Sequence, residues 1–228
     1  MDENNSLKVL RDTSGRRNGQ TWHVIDSRFI FLAALVSFAG TYGYIRDTLR
    51  GDTSPNRVTW GLWAIEGILA FVVEIQQHVG PAALTTLMLG FMPLVIVVVS
   101  FKNPRSVWKI GRFDLFCGLI SLAGLVFWGF VNEPTVALIS FVAADQIAAL
   151  PTVRKAWIAP ASESSRVFFL GFVNCAITLA TLKHFTTAGV LFPGCILVTD
   201  LIIGLLVVTK LGERLGGSGP TRLLRSAT

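Results

Sequence analysis

The sequence predicts an all-α membrane protein: seven transmembrane helices forming two parallel three-helix-bundle repeats joined by a linker helix, a 3+1+3 plan. Three observations lead there. The 228 residues are 52% hydrophobic and 15% charged, with a mean hydropathy of +0.59, a balance that does not suit a chain surrounded by water. Seven apolar segments of spanning length punctuate the chain. A basic turn also occurs twice, at equivalent places among those segments.

The segments run, in order, over 29–45, 58–76, 81–101, 113–131, 134–150, 166–182 and 188–209. The first opens on Phe29-Ile30-Phe31-Leu32 after a polar stretch, 1–27, that has no apolar run of signal-peptide length; it must itself direct insertion. The second carries Trp60, Trp63 and Glu66, and the third ends in a valine-rich run after Pro93. The fourth is the linker. The fifth holds Asp145-Gln146 and stops at Pro151, the sixth contains Asn174, and the seventh contains Pro193 and Asp200. In lipid each must be helical, because open backbone would leave N–H and C=O groups unpaired at several kcal/mol each. The chain thus divides into a polar tail (1–28), a first repeat (29–101), the linker (102–131), a second repeat (134–209) and a basic tail (210–228).

Orientation follows from the cations. With seven spans, one side collects Arg46, Arg50, Arg57, Lys102, Arg105, Lys109, Arg112, Arg154, Lys155, Arg166, Lys210, Arg214, Arg222 and Arg225. The other side has only Lys8, Arg11, Arg16, Arg17, Arg28 and Lys183. The positive-inside rule makes the first side cytoplasmic, with the amino terminus outside and the carboxyl terminus inside a plasma or bacterial inner membrane. The net charge of +6 is therefore topological: the cations lie between apolar segments, and no aromatic-interleaved basic patch points to nucleic acid. The basic tail from Gly216 to Thr228 suits contact with anionic lipid.

The repeat appears when the chain is compared with itself. Tyr44 to Val58 follows the first segment and Thr152 to Val167 the fifth. A shift of 108 sets Arg46 on Arg154 and Ser54 on Ser162, and one inserted residue brings Arg57-Val58 onto Arg166-Val167. Four spans separate the equivalent positions, so the repeats share one orientation, a plan that places a site near the midplane between halves.

At these residues the chain resembles the PQ-loop superfamily, and within it the seven-helix SWEET sugar transporters, as a divergent bacterial-type member. The resemblance covers about 29–209. It is carried by the 3+1+3 plan, the outside amino terminus, the repeated turn, Ala149-Leu150-Pro151-Thr152, Phe168-Phe169-Leu170 and Phe192-Pro193-Gly194. The family's Pro-Gln pair reads Pro151-Thr152 in the second repeat and Gly43-Tyr44 in the first. The seventh-helix Pro-Asn reads Pro193-Gly194, Thr86 stands at the matching place in the third span, and Thr178 to Thr181 fill the place of the expected sixth-helix tryptophan. The resemblance implies alternating access around a central cavity; a sugar-like or other small polar solute is the expected partner, with protons as a coupled ion.

Candidate site residues come from the cost of burying charge. An acid inside a span costs about 2.5–3.5 kcal/mol on insertion scales and so faces a cavity or a partner. Glu66, Asp145 and Asp200 qualify. Trp63 and Glu66 share a helix face with Trp60 and Gly67 beside them, and an aromatic next to a polar handle suits a sugar ring or an organic cation. Trp63, Glu66, Asn174, Asp200 and Trp60 are therefore candidate substrate contacts. Trp60 also sits where tryptophans anchor to the headgroup layer, and Asn174 can equally join helices. Asp145, Pro151 and Gly43 are candidates for gating or coupling: Pro151 loosens the end of its helix beside an acid that binds substrate or a proton, with Asp145 paired to Arg154 or to a neighbouring helix as the alternative. Pro93 and Pro193 can kink their helices, and Glu74, Asp114 and His184 lie near span ends.

Other chemistry is not expected. Cys117, Cys175 and Cys195 lie in apolar stretches without zinc or disulfide spacing. No His-Glu-x-x-His, Gly-x-Ser-x-Gly or phosphate loop is present, and the last span has no mid-membrane lysine for a retinal Schiff base, Lys210 lying at its end. The expectation is no enzyme, no catalytic residue, no metal and no cofactor. A non-transport receptor or assembly role is the other class to weigh, and a homo-oligomer is allowed.

Overall fold

The computed structural model describes residues 29–76, 83–182 and 185–215. The expectations for the amino-terminal tail, Lys183, His184 and the tail from Gly216 lie outside these residues, as do those for the Glu74 and Thr86 side chains. All secondary structure among the described residues is helical. The helices are α1 (Ile30–Arg50), α2 (Arg57–Gln76), α3 (Ala83–Ser100), α4 (Arg112–Phe130), α5 (Pro134–Ile158), α6 (Ser165–Ala180), α7 (Thr187–Thr209) and a short α8 (Leu211–Leu215), with a 3₁₀ turn at Pro160–Ser162. Helices α4 and α5 and the Gly189–Thr209 stretch of α7 are each long and apolar enough to cross a membrane. Leu87–Ser100 and α6 are shorter apolar helices.

The termini have local causes. Helix α1 stops because Gly51 takes φ 86° and turns its N–H back to the Asp47 and Thr48 carbonyls, a conformation that glycine enters without a Cβ penalty. At the start of α4 the Asp114 carboxylate accepts the Gly111 N–H at 2.7 Å. Glu133 caps α5 by accepting from the Thr135 and Val136 amides at 3.1 and 2.6 Å, and Thr186 caps α7 through Gly189 N–H.

Two helices outrun the apolar segments that announce them. The first segment ends at 45 and α1 at Arg50; the fifth ends at 150 and α5 at Ile158. Pro151 does not end its helix. Its fixed φ fits the α region, so the helix continues with one intrahelical donor missing, and the residues beyond it are held by the buried side chain of Lys155. The ends now coincide under the 108 shift: Arg50 with Ile158, and the starts Arg57 with Ser165.

Helix α3 packs against both α1 and α2, and α7 against both α5 and α6. Across the middle, α1 packs on α6 and α2 on α5. Helix α4 lies on α5 and α2. Small residues permit the closest crossings: a Cβ on Gly67 would fall against the backbone of Gly90, and one on Gly40 against Leu170 at 3.1 Å. In lipid such close approach matters, because packing contacts rather than hydrophobic transfer hold helices together.

The central core takes Tyr44 from α1, Trp60 from α2, Ile96 from α3, Ala156 from α5, Phe168 from α6, and Ile203 and Val207 from α7. Every long helix except α4 contributes. Helix α4 instead joins a second cluster, Leu125 with Leu62, Ala144 and Ala148. Its other faces expose Leu115, Phe116, Leu119, Phe127 and Phe130, an apolar surface suited to acyl chains.

Candidate functional site

Glu66 stands near the middle of α2 and Asp145 near the middle of α5, two helices that pack together. The two acids therefore sit on packed neighbouring helices, and each side chain is turned inward. Both are buried, at 3% and 5% exposure. Asp145 accepts from Gln146 Nε2 at 2.8 Å. Both oxygens of Glu66 are buried without a hydrogen-bond donor. The Gln146 Oε1 in turn accepts from the Thr199 hydroxyl of α7, so α2, α5 and α7 converge here. The next residue, Asp200, turns its carboxyl against Gly171 of α6, where an added Cβ would overlap it.

Arg154, one of the alternative partners for Asp145, does not pair with it. Arg154 lies two and a half turns along α5, its guanidinium 5.5 Å from the Phe113 ring centroid. Among the described residues the ion pairs are Arg46–Asp47 and Lys155–Glu163, and neither touches these acids.

Trp60 does not face outward as an anchoring tryptophan would: it is 4% exposed, 4.9 Å from Tyr44, edge-on to Trp63 at 5.1 Å and 6.5 Å from Phe168. Tyr44 of α1 and Phe168 of α6 enclose it, with Trp63 at its edge. Asn174 is half-buried, and its carbonyl accepts from Thr178 at 2.9 Å; among the described residues no hydrogen bond joins its side chain to the acids. Gly43 lies inside α1, where a Cβ would meet nothing within 4 Å, so no packing demand explains the glycine. Pro151 is fully buried within α5. Asp114, near the end of its span, is 1% exposed and also accepts from Asn56 Nδ2 at 3.3 Å.

A second polar group closes one end of the bundle. Lys155 is fully buried and pairs with Glu163 Oε1 at 2.7 Å, while Tyr44 donates to Glu163 Oε2 at 2.8 Å. The Lys155 ammonium also donates to the carbonyls of Ser54 and Ser162, and Ser54 N–H donates to the Ser162 carbonyl at 2.9 Å. The two turns are thus joined at the very serines that the 108 shift superposes. Glu163 and the buried roles of Tyr44 and Lys155 are missed by an argument from spans, which treats turn residues as solvated. The repeat is the signal that could have found them.

Two apolar grooves mark the outer faces: one of about 300 Å³ between α2 and α4, lined by Val58, Leu62, Leu119 and Leu122, and one of about 250 Å³ lined by Ala70, Trp128, Leu138 and Phe141. Neither includes Glu66 or Asp145. No cluster of three or more potential metal ligands occurs among the described residues. The chain matches no family model, no curated protein and no solved structure.

Proposed function

We propose that this chain is a membrane transporter of a small polar solute, working by alternating access between two parallel three-helix units, α1–α3 and α5–α7, with α4 as the linker. The observation that carries the reading is the burial of Glu66 and Asp145 in two helices, α2 and α5, that pack together. One acid comes from each proposed unit, and the Glu66 oxygens have no donor. Acids retained at such cost within a membrane mark substrate or ion pathways, and a site between repeats is where rocking motions exchange access.

The packing pattern supports the two-unit division. Replacing α1, α2 and α3 by α5, α6 and α7 turns the contacts of α3 with α1 and α2 into those of α7 with α5 and α6. The same exchange turns the α1–α6 contact into α5–α2. The coincident helix ends and the absence of α4 from the central core support it further. All seven long helices cross the membrane in this reading, the basic turns face the cytoplasm and the amino terminus lies outside. The Ser54–Ser162 and Tyr44–Glu163–Lys155 contacts then close the cytoplasmic end, so the described conformation is shut toward the cytoplasm. Trp63, Asp200 and Asn174 line the path, with Trp60 behind Trp63; Asp145, Pro151 and Gly43 serve gating or coupling.

The test is uptake into proteoliposomes from a panel of sugars, amino acids and organic cations, with and without an inward proton gradient. Saturable uptake that Glu66→Gln reduces at least tenfold is the expected result. No uptake of any panel member by folded protein favours a receptor or assembly role instead.

A further inference from the structure

We infer that the connection between α3 and α4, residues 101–111, is a strap with two faces: the outer one binds the anionic phospholipid surface of the membrane, and the inner one fixes the end of α1 and the Lys155 ammonium. The inference rests on α4 crossing the membrane and not on transport.

The inner face is built from hydrogen bonds. The last carbonyls of a helix have no intrahelical donor, and at the end of α1 the strap provides donors. Asn103 Nδ2 donates to the Leu49 carbonyl at 2.8 Å and to that of Thr48 at 3.3 Å, and the buried Ser106 hydroxyl also donates to the Thr48 carbonyl. Asn103 Oδ1 accepts the Arg105 N–H at 2.9 Å and the Asn103 carbonyl accepts the Ser106 N–H at 3.0 Å, so the strap holds its own bend. Further along, the Trp108 ring centroid lies 5.3 Å from Lys155 Nζ, within reach of a cation–π contact. The strap thus touches the ammonium that joins the two turns. Both of its ends are tied to the start of α2. Arg57 donates to the Ser100 hydroxyl and carbonyl at 2.9 and 2.8 Å and lies 3.9 Å from the Phe101 ring centroid. At the other end Asn56, which accepts the Val58 N–H at 3.1 Å, donates to Asp114.

The outer face is basic and apolar. Lys102, Arg105, Lys109 and, at the start of α4, Arg112 are exposed, and the two ion pairs among the described residues include none of them. No acid occurs between 101 and 113, and Asp114 is buried, bound by Gly111 and Asn56. Val107 and Ile110 are exposed among these cations. A soluble polyanion would match the charges alone. Cations interleaved with aliphatic side chains match a headgroup layer, where the charges meet phosphate and the methyl groups reach the acyl boundary. The position agrees: the strap ends where α4 begins, a helix long and apolar enough to cross the membrane, so it lies just outside the hydrocarbon. Lipid that holds the outer face also steadies the inner one, because Asn103, Arg105 and Ser106 belong to one turn.

The experiment places a neutral bimane label on Val107→Cys in the full-length protein, with Cys117, Cys175 and Cys195 replaced by alanine, in nanodiscs of phosphatidylcholine alone or mixed equally with phosphatidylglycerol. Quenching by acrylamide, which is uncharged, should fall at least about twofold in the anionic discs, and the protection should fade in about 1 M salt, where the Debye length is about 3 Å. Combining Lys102→Gln, Arg105→Gln, Lys109→Gln and Arg112→Gln should abolish it; the basic tail is intact in that variant, so the loss belongs to the strap. Thermal unfolding reads the inner face. Anionic lipid should raise the Tm of the wild type, and raise much less the Tm of the fourfold variant and of Asn103→Ala, each shown to be folded by circular dichroism and size exclusion. Equal quenching in the two lipids, or protection that survives the four substitutions, overturns the lipid-binding face. Protection by soluble heparin with none from phosphatidylglycerol assigns the face to a soluble polyanion and likewise overturns it. Equal Tm shifts in wild type and Asn103→Ala overturn the link to α1. No readout here requires a solute, so an absence of uptake would reject transport and leave the strap standing.

Discussion

At the residue scale, the cost of burying charge separates two kinds of acid in this chain. Glu163 is paired: Lys155 and Tyr44 satisfy both of its oxygens. Glu66 is left without a donor, which is why its pairing points outward to a proton or ligand while that of Glu163 points to structure. Removing one partner of a buried ion pair strands the other, at about 3–5 kcal/mol, whereas replacing both is much less costly. Lys155→Met is therefore expected to lower thermal stability in detergent steeply, and Lys155→Met with Glu163→Gln to recover much of the loss; equal stability of single and double variants would remove the pair from the account. Glu133 gives a pH prediction. The Val136 and Thr135 amides that it caps hold its carboxyl below the usual glutamate range. Folding lowers its proton affinity, so its contribution is present above the unfolded glutamate value, near 4.3, and is lost as pH falls through the lower folded value. The melting-temperature gap between wild type and Glu133→Gln should shrink across that acidic window and stay constant from there up to neutrality.

At the scale of elements, the sequence announces each long helix through its apolar segment, yet it misplaces two ends. Hydropathy marks where lipid-compatible residues stop, at 45 and 150, while the helix stops where the backbone turns, at Gly51 and after Ile158. Proline misled for a related reason: Pro151 looks terminal in a pattern of spans, but a buried proline can sit inside a packed helix with the loss of one hydrogen bond. Trp60, at the start of a span, reads as a headgroup anchor or a substrate contact, and its burial follows from Tyr44 and Phe168, long-range partners that no local window contains. Glycines separate into two groups on the same ground. Gly67→Ala places a methyl group on the backbone of Gly90 and should destabilise the α2–α3 crossing by about 1–3 kcal/mol or more. Gly43→Ala meets nothing; it should leave the melting temperature unchanged, and a loss of uptake in that variant would identify Gly43 as a hinge.

At the scale of the whole molecule, the acids Glu66, Asp145 and Asp200 are legible as costly residues in apolar runs, and the repeat is legible from two short turns. What no local pattern contains is which of these helices pack together. Glu66 and Asp145 lie on adjoining helices because α2 packs on α5, and Gln146 reaches Thr199 because α7 packs on α5. The same packing brings the turn after α1 to the turn after α5, and the account requires that junction to part whenever the cytoplasmic side opens. The most direct measurement is a reversible lock. In a background with Cys117, Cys175 and Cys195 replaced by alanine, Ser54→Cys with Ser162→Cys should form a disulfide on oxidation. The account predicts that oxidation cuts solute uptake into proteoliposomes at least tenfold and that reductant restores it, while either single cysteine variant is insensitive. Full uptake by protein shown to be cross-linked would contradict alternating access through this end of the bundle.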